Sequence, residues 1–441
     1  MTIEELKKYI MDAGCVGAGG AGFPSAVKLA EGADSLVINA AECEPLLYSD
    51  YMLMKQHLVD VATGAEYVMQ ATGIRRGYLG VKEHTAHRLG LTDGEAISAN
   101  VVVKCLPNVY PMGDEIILIY QTLGRIVPPG QLPITVGVIV FNSETLYNVC
   151  RAVRDGAPVT QKWVTVGGAV RQPFVALVPV GTPVRELMAH YGITVPEDHV
   201  MIDGGPAMGP IIDPNTAVIT KTTKALLILP TTIPAIASKL ATDRTVNTHA
   251  TANCCQCRLC TDMCPRALIG YPLEPHKIVR NSKMMFEEYP EEFTEASVCC
   301  ACGICELTAC CQGISPRRVY QQVKAILAKN KLRYQHKGEL KADPDREYRM
   351  LPSERFKARI GVARYDTGIP EFRAETFVPS HIELPLRQHI GAPAKPVVKV
   401  GDTVTAGQLI AQADGLISAN IHTSIDGRVL EVTDAHVIIG T

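Results

Sequence analysis

The chain has 441 residues, with 43 Lys and Arg against 45 Asp and Glu and a formal net charge of −2. That balance, with no basic tract, gives no electrostatic reason for nucleic-acid binding. No uninterrupted apolar run nears the roughly 18 residues of a membrane span, so direct membrane insertion is not expected.

The length suits roughly three domains of ordinary size. The opening MTIEELKKYIMDAG carries early acidic residues and no apolar core, so no signal peptide is expected. Most of the fifteen cysteines fall in two runs, and none is spaced as in a secreted scaffold. A cytoplasmic, reducing compartment fits that usage.

Residues 1–155 alternate short β-branched runs (36–40, 77–81, 101–105, 135–141) with helical patterns (51–72, 114–123), which predicts an α/β domain. Ahead of the first run stands Gly17-Ala-Gly-Gly-Ala-Gly-Phe-Pro24, followed by Lys28. Glycines without Cβ let backbone N–H groups approach a phosphate, and Lys28 adds charge to the same anion; a tight turn before a helix is the plainer alternative. Polar groups then follow the strands: Asn39-Ala-Ala-Glu42-Cys43-Glu44-Pro45, Tyr110-Pro-Met-Gly113-Asp114-Glu115 and Asn142-Ser-Glu-Thr145. Strand ends are where open α/β sheets bind ligands.

Residues 156–235 predict a small β module. A strand pair at 162–170 and 174–180 is followed by a helix at 184–191 and the glycine-rich Asp203-Gly-Gly-Pro-Ala-Met-Gly209.

Between 245 and 332 come Cys254-x2-Cys257-x2-Cys260-x3-Cys264-Pro265 and Cys299-x2-Cys302-x2-Cys305-x4-Cys310. A [4Fe–4S] cluster needs four thiolates, and consecutive x2 steps let one loop reach three corners. Zinc ribbons use two opposed Cys-x2-Cys pairs and fit this pattern poorly, as does a disulfide framework. In two-cluster ferredoxins of this pattern the fourth Cys serves the other cluster. That rule groups Cys254, Cys257 and Cys260 with Cys310, and Cys299, Cys302 and Cys305 with Cys264. Cys311 stands where Pro normally follows, so either Cys310 or Cys311 is the ligand, with Cys310 favoured; Cys255 and Cys300 fall out of register as spectators.

A polar helical spacer is expected at 277–295, and a helix at 316–331 with Val319, Val323, Ile326 and Leu327 along a core face. Residues 333–380, charged and Pro-punctuated, read as a linker or wrapping segment. The last module, 381–441, has short strands between Gly turns, which predicts an all-β sandwich. Asp434-Ala-His436-Val-Ile-Ile-Gly440 satisfies a corrinoid-ligating pattern, but no α/β domain follows it, and a strand is the better reading.

In order, Gly-Gly-Ala-Gly-Phe-Pro, Asn-Ala-x-Glu-x-Glu-Pro, Gly-Asp-Glu and Asn-x-Glu-Thr resemble the flavin and NADH domain of respiratory complex I. They are more similar to the C subunit of Rnf-type complexes, and most similar to the soluble cobalamin reductases of propanediol utilisation. The resemblance implies a multidomain α/β plus β fold: a flavin and NADH domain (1–155), a β-grasp module (156–235), a helical two-cluster ferredoxin-like domain (245–332) and a barrel-sandwich module (381–441). The last lacks the carrier lysine of lipoyl and biotinyl domains, since 419–423 contains none.

By the same resemblance Gly17, Gly19, Gly20, Gly22 and Lys28 would cradle the FMN phosphate, and Asn39 and Asn142 would hydrogen-bond the flavin. Phe23 would stack on the adenine of NADH, while Glu42, Glu44, Gly113 and Glu115 would face flavin and nucleotide. Ala41 departs from the complex I pattern, which has Asp there. No protein side chain is expected to be catalytic; two [4Fe–4S] clusters, FMN and NADH carry the chemistry, with cobalamin as acceptor. The implied partners are a corrinoid or corrinoid-handling enzyme and microcompartment proteins. Two alternatives are an Rnf-type subunit, whose barrel-sandwich typically lies at the front of the chain, and a non-enzymatic iron–sulfur relay.

Overall fold

The computed structural model describes every residue except Thr376 and Leu416. Helix α1 (Ile3–Asp12) opens the chain with a capping box, in which Thr2 and Glu5 satisfy each other's backbone N–H. The first sheet follows, from β1 (Ser35–Asn39), α2 (Ser49–Thr72), β2 (Arg76–Lys82), α3 (Glu83–Leu89), β3 (Val101–Leu106), the short β4 (Val109–Tyr110), α4 (Glu115–Leu123), β5 (Val138–Asn142) and α5 (Ser143–Asp155). Its four strands are parallel in the order β3-β2-β1-β5. Leu36, Val37 and Ile38 are fully buried, the continuous apolar run expected when helices cover both faces.

Register aligns Asn39 with Gly80 and Asn142, so the polar ends of the two motif strands are neighbours at the carboxyl edge. Helices α2 and α5 pack closely at Gly64, where a Cβ would stand 2.0 Å from Leu146 O. The expected strand at 135–141 begins late. Residues Pro133–Val136 form a 3-10 turn ended by Gly137 at φ +75°, and β5 starts at Val138.

The second sheet contains β6 (Gln161–Gly168), β7 (Phe174–Pro179), β8 (His199–Asp203), β9 (Ile211–Ile212) and β10 (Ala225–Pro230), with α6 (Val184–His190) packed on it. Its sixth strand, Glu371–Arg373, pairs in parallel with β7. The segment expected as a linker therefore contains regular structure. Leu351–Pro352 also pairs with β4, and the helix Ser353–Arg359 follows at once.

The cysteine region is built from short helices and closed by Pro316–Lys329, whose Val319, Val323 and Leu327 are buried. The spacer between the runs is polar outside but contributes Phe286 and Phe293, ring to ring at 4.9 Å. At the end of the chain two small antiparallel sheets enclose Ile382, Leu384, Ile410, Val429, Val437 and Ile439. His436–Gly440 is a strand there, paired with His381–Pro385 and Gly427–Val432. Among the described residues no helix is long and apolar enough to cross a membrane.

Candidate cofactor site

The carboxyl edge of the first sheet opens into a cleft of about 750 Å³, mouth included, whose walls include Gly19, Asn39, Glu42, Glu44, Gly113 and Asn142. Strand ends place the two asparagines. Asn39 Nδ2 donates to Gly113 O at 3.0 Å, and Asn142 caps α5 by accepting from Glu144 N at 3.0 Å while its Nδ2 donates to Asp50 Oδ2 at 3.0 Å. Ala41 also lines the cleft.

The glycine loop stands at its rim. Gly17 N donates to Phe23 O at 2.8 Å, Gly22 N to Gly17 O at 3.2 Å and Ala18 N to Thr145 Oγ1 at 3.0 Å. Among the described residues no protein group accepts from the amides of Gly19, Gly20 and Ala21. Gly20, at φ +105°, faces open space. Unspent N–H groups beside a cleft suit an oxyanion such as the FMN phosphate.

Lys28 and Glu115 are brought together, but with each other: Lys28 Nζ lies 3.0 Å from Glu115 Oε1 and 3.0 Å from Val140 O. They, Phe23, Gly17, Gly20 and Gly22 are not on the cleft wall.

The floor holds a buried ionic cluster. Lys224 donates to Asp50 at 2.5 Å and lies 3.3 Å from Glu144, which also pairs with buried Lys162. Burial wins at Lys162, holding its amine down at about 8, whereas the carboxylates around Lys224 raise that amine. Glu42 accepts from Ser49 Oγ and Asp50 N; burial first, then the Asp50 charge, push it up to about 7. Glu44 accepts from Tyr110 Oη at 2.9 Å and Ala207 N at 3.0 Å, and burial raises it. Asp50 and Lys224 carry no motif and are 174 residues apart, so only the fold reveals them as cleft residues.

Two further pockets are lined by cysteines. Cys254, Cys257, Cys260 and Cys310 line one of about 340 Å³, together with Cys255 and Cys311. Cys264, Cys299, Cys302 and Cys305 line another of about 380 Å³, together with Cys300. Left-handed backbone at Gln256, Arg258 and Ala301, φ +57° to +65°, turns the loops around these centres.

N–H groups already point at sulfur: Gln256 Nε2 to Cys254 Sγ at 3.1 Å, Ala301 N to Cys299 Sγ at 3.3 Å and Ile314 N to Cys310 Sγ at 3.3 Å. Burial pushes the Cys264 thiol up to about 12, and burial with neighbouring thiols does the same at Cys260. Four thiols so crowded ionise together only around cations, so the donor sets fit iron–sulfur clusters. Cys311 is exposed, its Sγ 4.0 Å from Cys255 and 3.9 Å from Cys257.

The cleft and the second cysteine pocket share a wall, made by Cys300 and Cys302. Tyr110 Oη donates to Cys302 O at 2.7 Å as well as meeting Glu44, and Arg266, just after Cys264-Pro265, pairs with Asp114 at 2.8 Å. Asp114 also caps α4.

Residues 10–151 match the Nuo51 FMN-binding domain, 253–315 the 4Fe–4S dicluster domain and 373–441 the RnfC barrel sandwich hybrid domain. The cobalamin reductase PduS of Salmonella typhimurium is 40% identical, covering 100% of this chain and 97% of that one. The chain belongs to the cobalamin reductase PduS family. The Citrobacter freundii PduS is 39% identical over 99% of this chain and 96% of its own length. In Acetobacterium woodii, the C subunit of the Na(+)-translocating ferredoxin:NAD(+) oxidoreductase complex is 31% identical over 60% of this chain and 58% of its own length. An FMN-binding domain and a 4Fe–4S dicluster domain thus lie in one polypeptide.

Proposed function

We propose that the chain is an NADH-dependent flavin and iron–sulfur reductase whose acceptor is a corrinoid, serving a cobalamin-dependent diol dehydratase. The observation that carries this is the wall of Cys300 and Cys302, which sets the FMN-binding cleft directly against a four-thiol pocket. FMN accepts a hydride and gives up electrons singly, and each [4Fe–4S] cluster carries one. The full-length likeness to proteins named cobalamin reductase supports the acceptor.

Two clusters are proposed, held by Cys254, Cys257, Cys260 and Cys310 and by Cys264, Cys299, Cys302 and Cys305. The amides of Gly19 and Gly20 take the FMN phosphate, with Gly17 and Gly22 shaping the loop and Lys28 lending charge behind it. Asn39, Asn142 and Gly113 frame the ring, Glu42, Glu44 and Glu115 supply acidic character around flavin and nucleotide, and Phe23 stacks on the adenine of NADH. The six-stranded module with α6 is read as the β-grasp. We read the protein as cytoplasmic, acting in or beside a bacterial microcompartment with its proteins as partners; the full-length likeness to proteins named PduS supports that reading.

In this reading electrons pass from the cleft to the Cys302 pocket against it and then to the Cys257 pocket; the exposure of Cys255, Cys257 and Cys311 supports that order. Electrons leave from the last.

An anaerobic NADH titration of reconstituted protein tests the reading. Flavin bleaching followed by cob(II)alamin reduction is expected. Clusters reducible only by dithionite would make the chain a relay, and reduction of ferredoxin but not cobalamin would favour the Rnf-type activity. Cys257→Ser and Cys302→Ser should each lose about half the iron. With NADH, Cys257→Ser should still show a reduced cluster by electron paramagnetic resonance, while Cys302→Ser should show none until dithionite is added. Identical spectra for the two variants would reverse or abolish that order.

A further inference from the structure

A second cavity, about 610 Å³ with its mouth, lies across the 42–47 loop from the cleft, between the end of β2, α3 and the helix Ser353–Arg359. Glu42, Cys43, Glu44 and Leu47 line both spaces and form the partition. The cavity therefore also sits at the carboxyl edge of the parallel sheet, where α/β domains bind ligands.

Several groups on its wall are left unmatched by the protein. Lys82 is 3% exposed, and among the described residues its ammonium has one hydrogen-bond partner, the hydroxyl of Ser353 at 3.1 Å. Among the described residues no carboxylate forms an ion pair with it; Glu42 and Glu354 favour its charge only from a distance, and burial outweighs them and lowers its pKa. His84 Nδ1 and Asn108 Oδ1 are buried without a hydrogen bond among the described residues. Arg88, on α3, adds a second cation that is in no ion pair among the described residues.

The acids nearby are engaged elsewhere. Glu354 and Asp366 both pair with Lys357, and Asp366 also accepts from Tyr48 at 2.5 Å. Glu42 is held by Ser49 and Asp50, and Glu44 by Tyr110 and Ala207.

A buried ammonium without counter-charge is costly, and orphaned buried polar atoms are rare enough to call for a cause. Here a cation, an imidazole nitrogen and an amide oxygen line the same cavity. We propose that this cavity binds a small ligand through a phosphate group, held by Lys82 and Arg88 with His84 donating to it, while a donor elsewhere on the ligand meets Asn108 Oδ1. Burial and the neighbouring cations keep His84 neutral near pH 7, its value pushed down to about 4, so one ring nitrogen carries the proton it would donate. The site is separate from the flavin cleft, and the reading does not depend on which acceptor the flavin serves.

The test is calorimetric titration of inorganic phosphate into the full chain, saturated with FMN so that the glycine loop is filled, at constant ionic strength. One saturable site per chain is expected, with affinity at least tenfold weaker in Lys82→Met and several-fold weaker in Arg88→Ala. Phosphate should raise the melting temperature of the parent and leave that of Lys82→Met unmoved. Acetate, titrated in parallel, should bind more weakly; acetate binding more tightly than phosphate would overturn the assignment to phosphate. Absence of a saturable site in the parent, or phosphate affinity unchanged in exposed Arg88→Ala, which keeps the buried amine, would overturn the site itself.

Discussion

Glu42 shows how one carboxyl can report on the cleft. Its folded value of about 7 lies above the ordinary 4.5, because burial and Asp50 outweigh Lys224 and two hydrogen bonds. A raised acid favours the fold below its unfolded value, and that contribution is lost as pH rises from about 4.5 through about 7. Glu42→Gln should therefore flatten the fall in melting temperature between those pH values. An equal fall in parent and variant would show that Glu42 does not titrate there.

The residue scale also marks what a sequence can disclose. Asn39, Glu42, Glu44, Gly113 and Asn142 were legible as cleft residues because they lie in segments that follow predicted strands, and Gly19 because it stands in a glycine-rich loop. Asp50 and Lys224 were not: a lone charge in a polar context reads as a solvated face until the fold buries it against a partner. Lys28 and Glu115 were each singled out, yet their pairing depends on packing between the 3-10 turn Ser25–Lys28 and the start of α4.

At the scale of elements, Gly64 sets how near α2 comes to α5. Alanine there would raise intrinsic helix propensity by about 1 kcal/mol. The added Cβ would nevertheless stand 2.0 Å from Leu146 O, a backbone atom that cannot swing aside. The clash should win. Gly64→Ala is expected to destabilise the first domain by about 1–3 kcal/mol or more, measured as a lower melting temperature with reduced flavin retention. A melting temperature at or above the parent's would mean that α2 can shift outward freely.

Period and spacing made the elements themselves readable. The stripe on Pro316–Lys329 is buried as its 3.6-residue repeat implies, and the parallel strands announced themselves as apolar runs. The start of β5 was misplaced because Pro133 and Gly137 fix a turn inside an otherwise β-branched stretch. Residues 333–380 hid their strands because Leu351–Pro352 and Glu371–Arg373 are too short for alternation to register, and they form by joining partners far away in sequence.

At the scale of the molecule, the glycine loop is finished by other modules. Lys221, 2% exposed, donates to Gly14 O and to Asn420 O, each at 2.7 Å. Ile390 N donates to Gly22 O at 3.0 Å, and Gly22 packs against Thr222 and His389 so closely that a Cβ would stand 2.8 Å from one and 3.2 Å from the other. Lys221→Met should weaken FMN binding at least tenfold, since losing even one of its two charge-assisted bonds, at about 1.5–3 kcal/mol, corresponds to that factor, while iron content stays at the parent level. Ser424→Ala removes a neutral hydroxyl bond between modules, to Val180 O, away from the loop, and should leave FMN affinity alone. Equal affinity in parent and Lys221→Met would show that the loop holds its shape unaided.

That clasp also has a bearing on biosynthesis. Ile390 and Asn420 leave the ribosome some 370 to 400 codons after Gly22, so a nascent chain carries its glycine loop unbraced through nearly the whole of translation. If that bracing is what retains the flavin, flavin loading should be one of the last events in maturation, and a polypeptide made without the final module should still acquire iron while releasing its flavin.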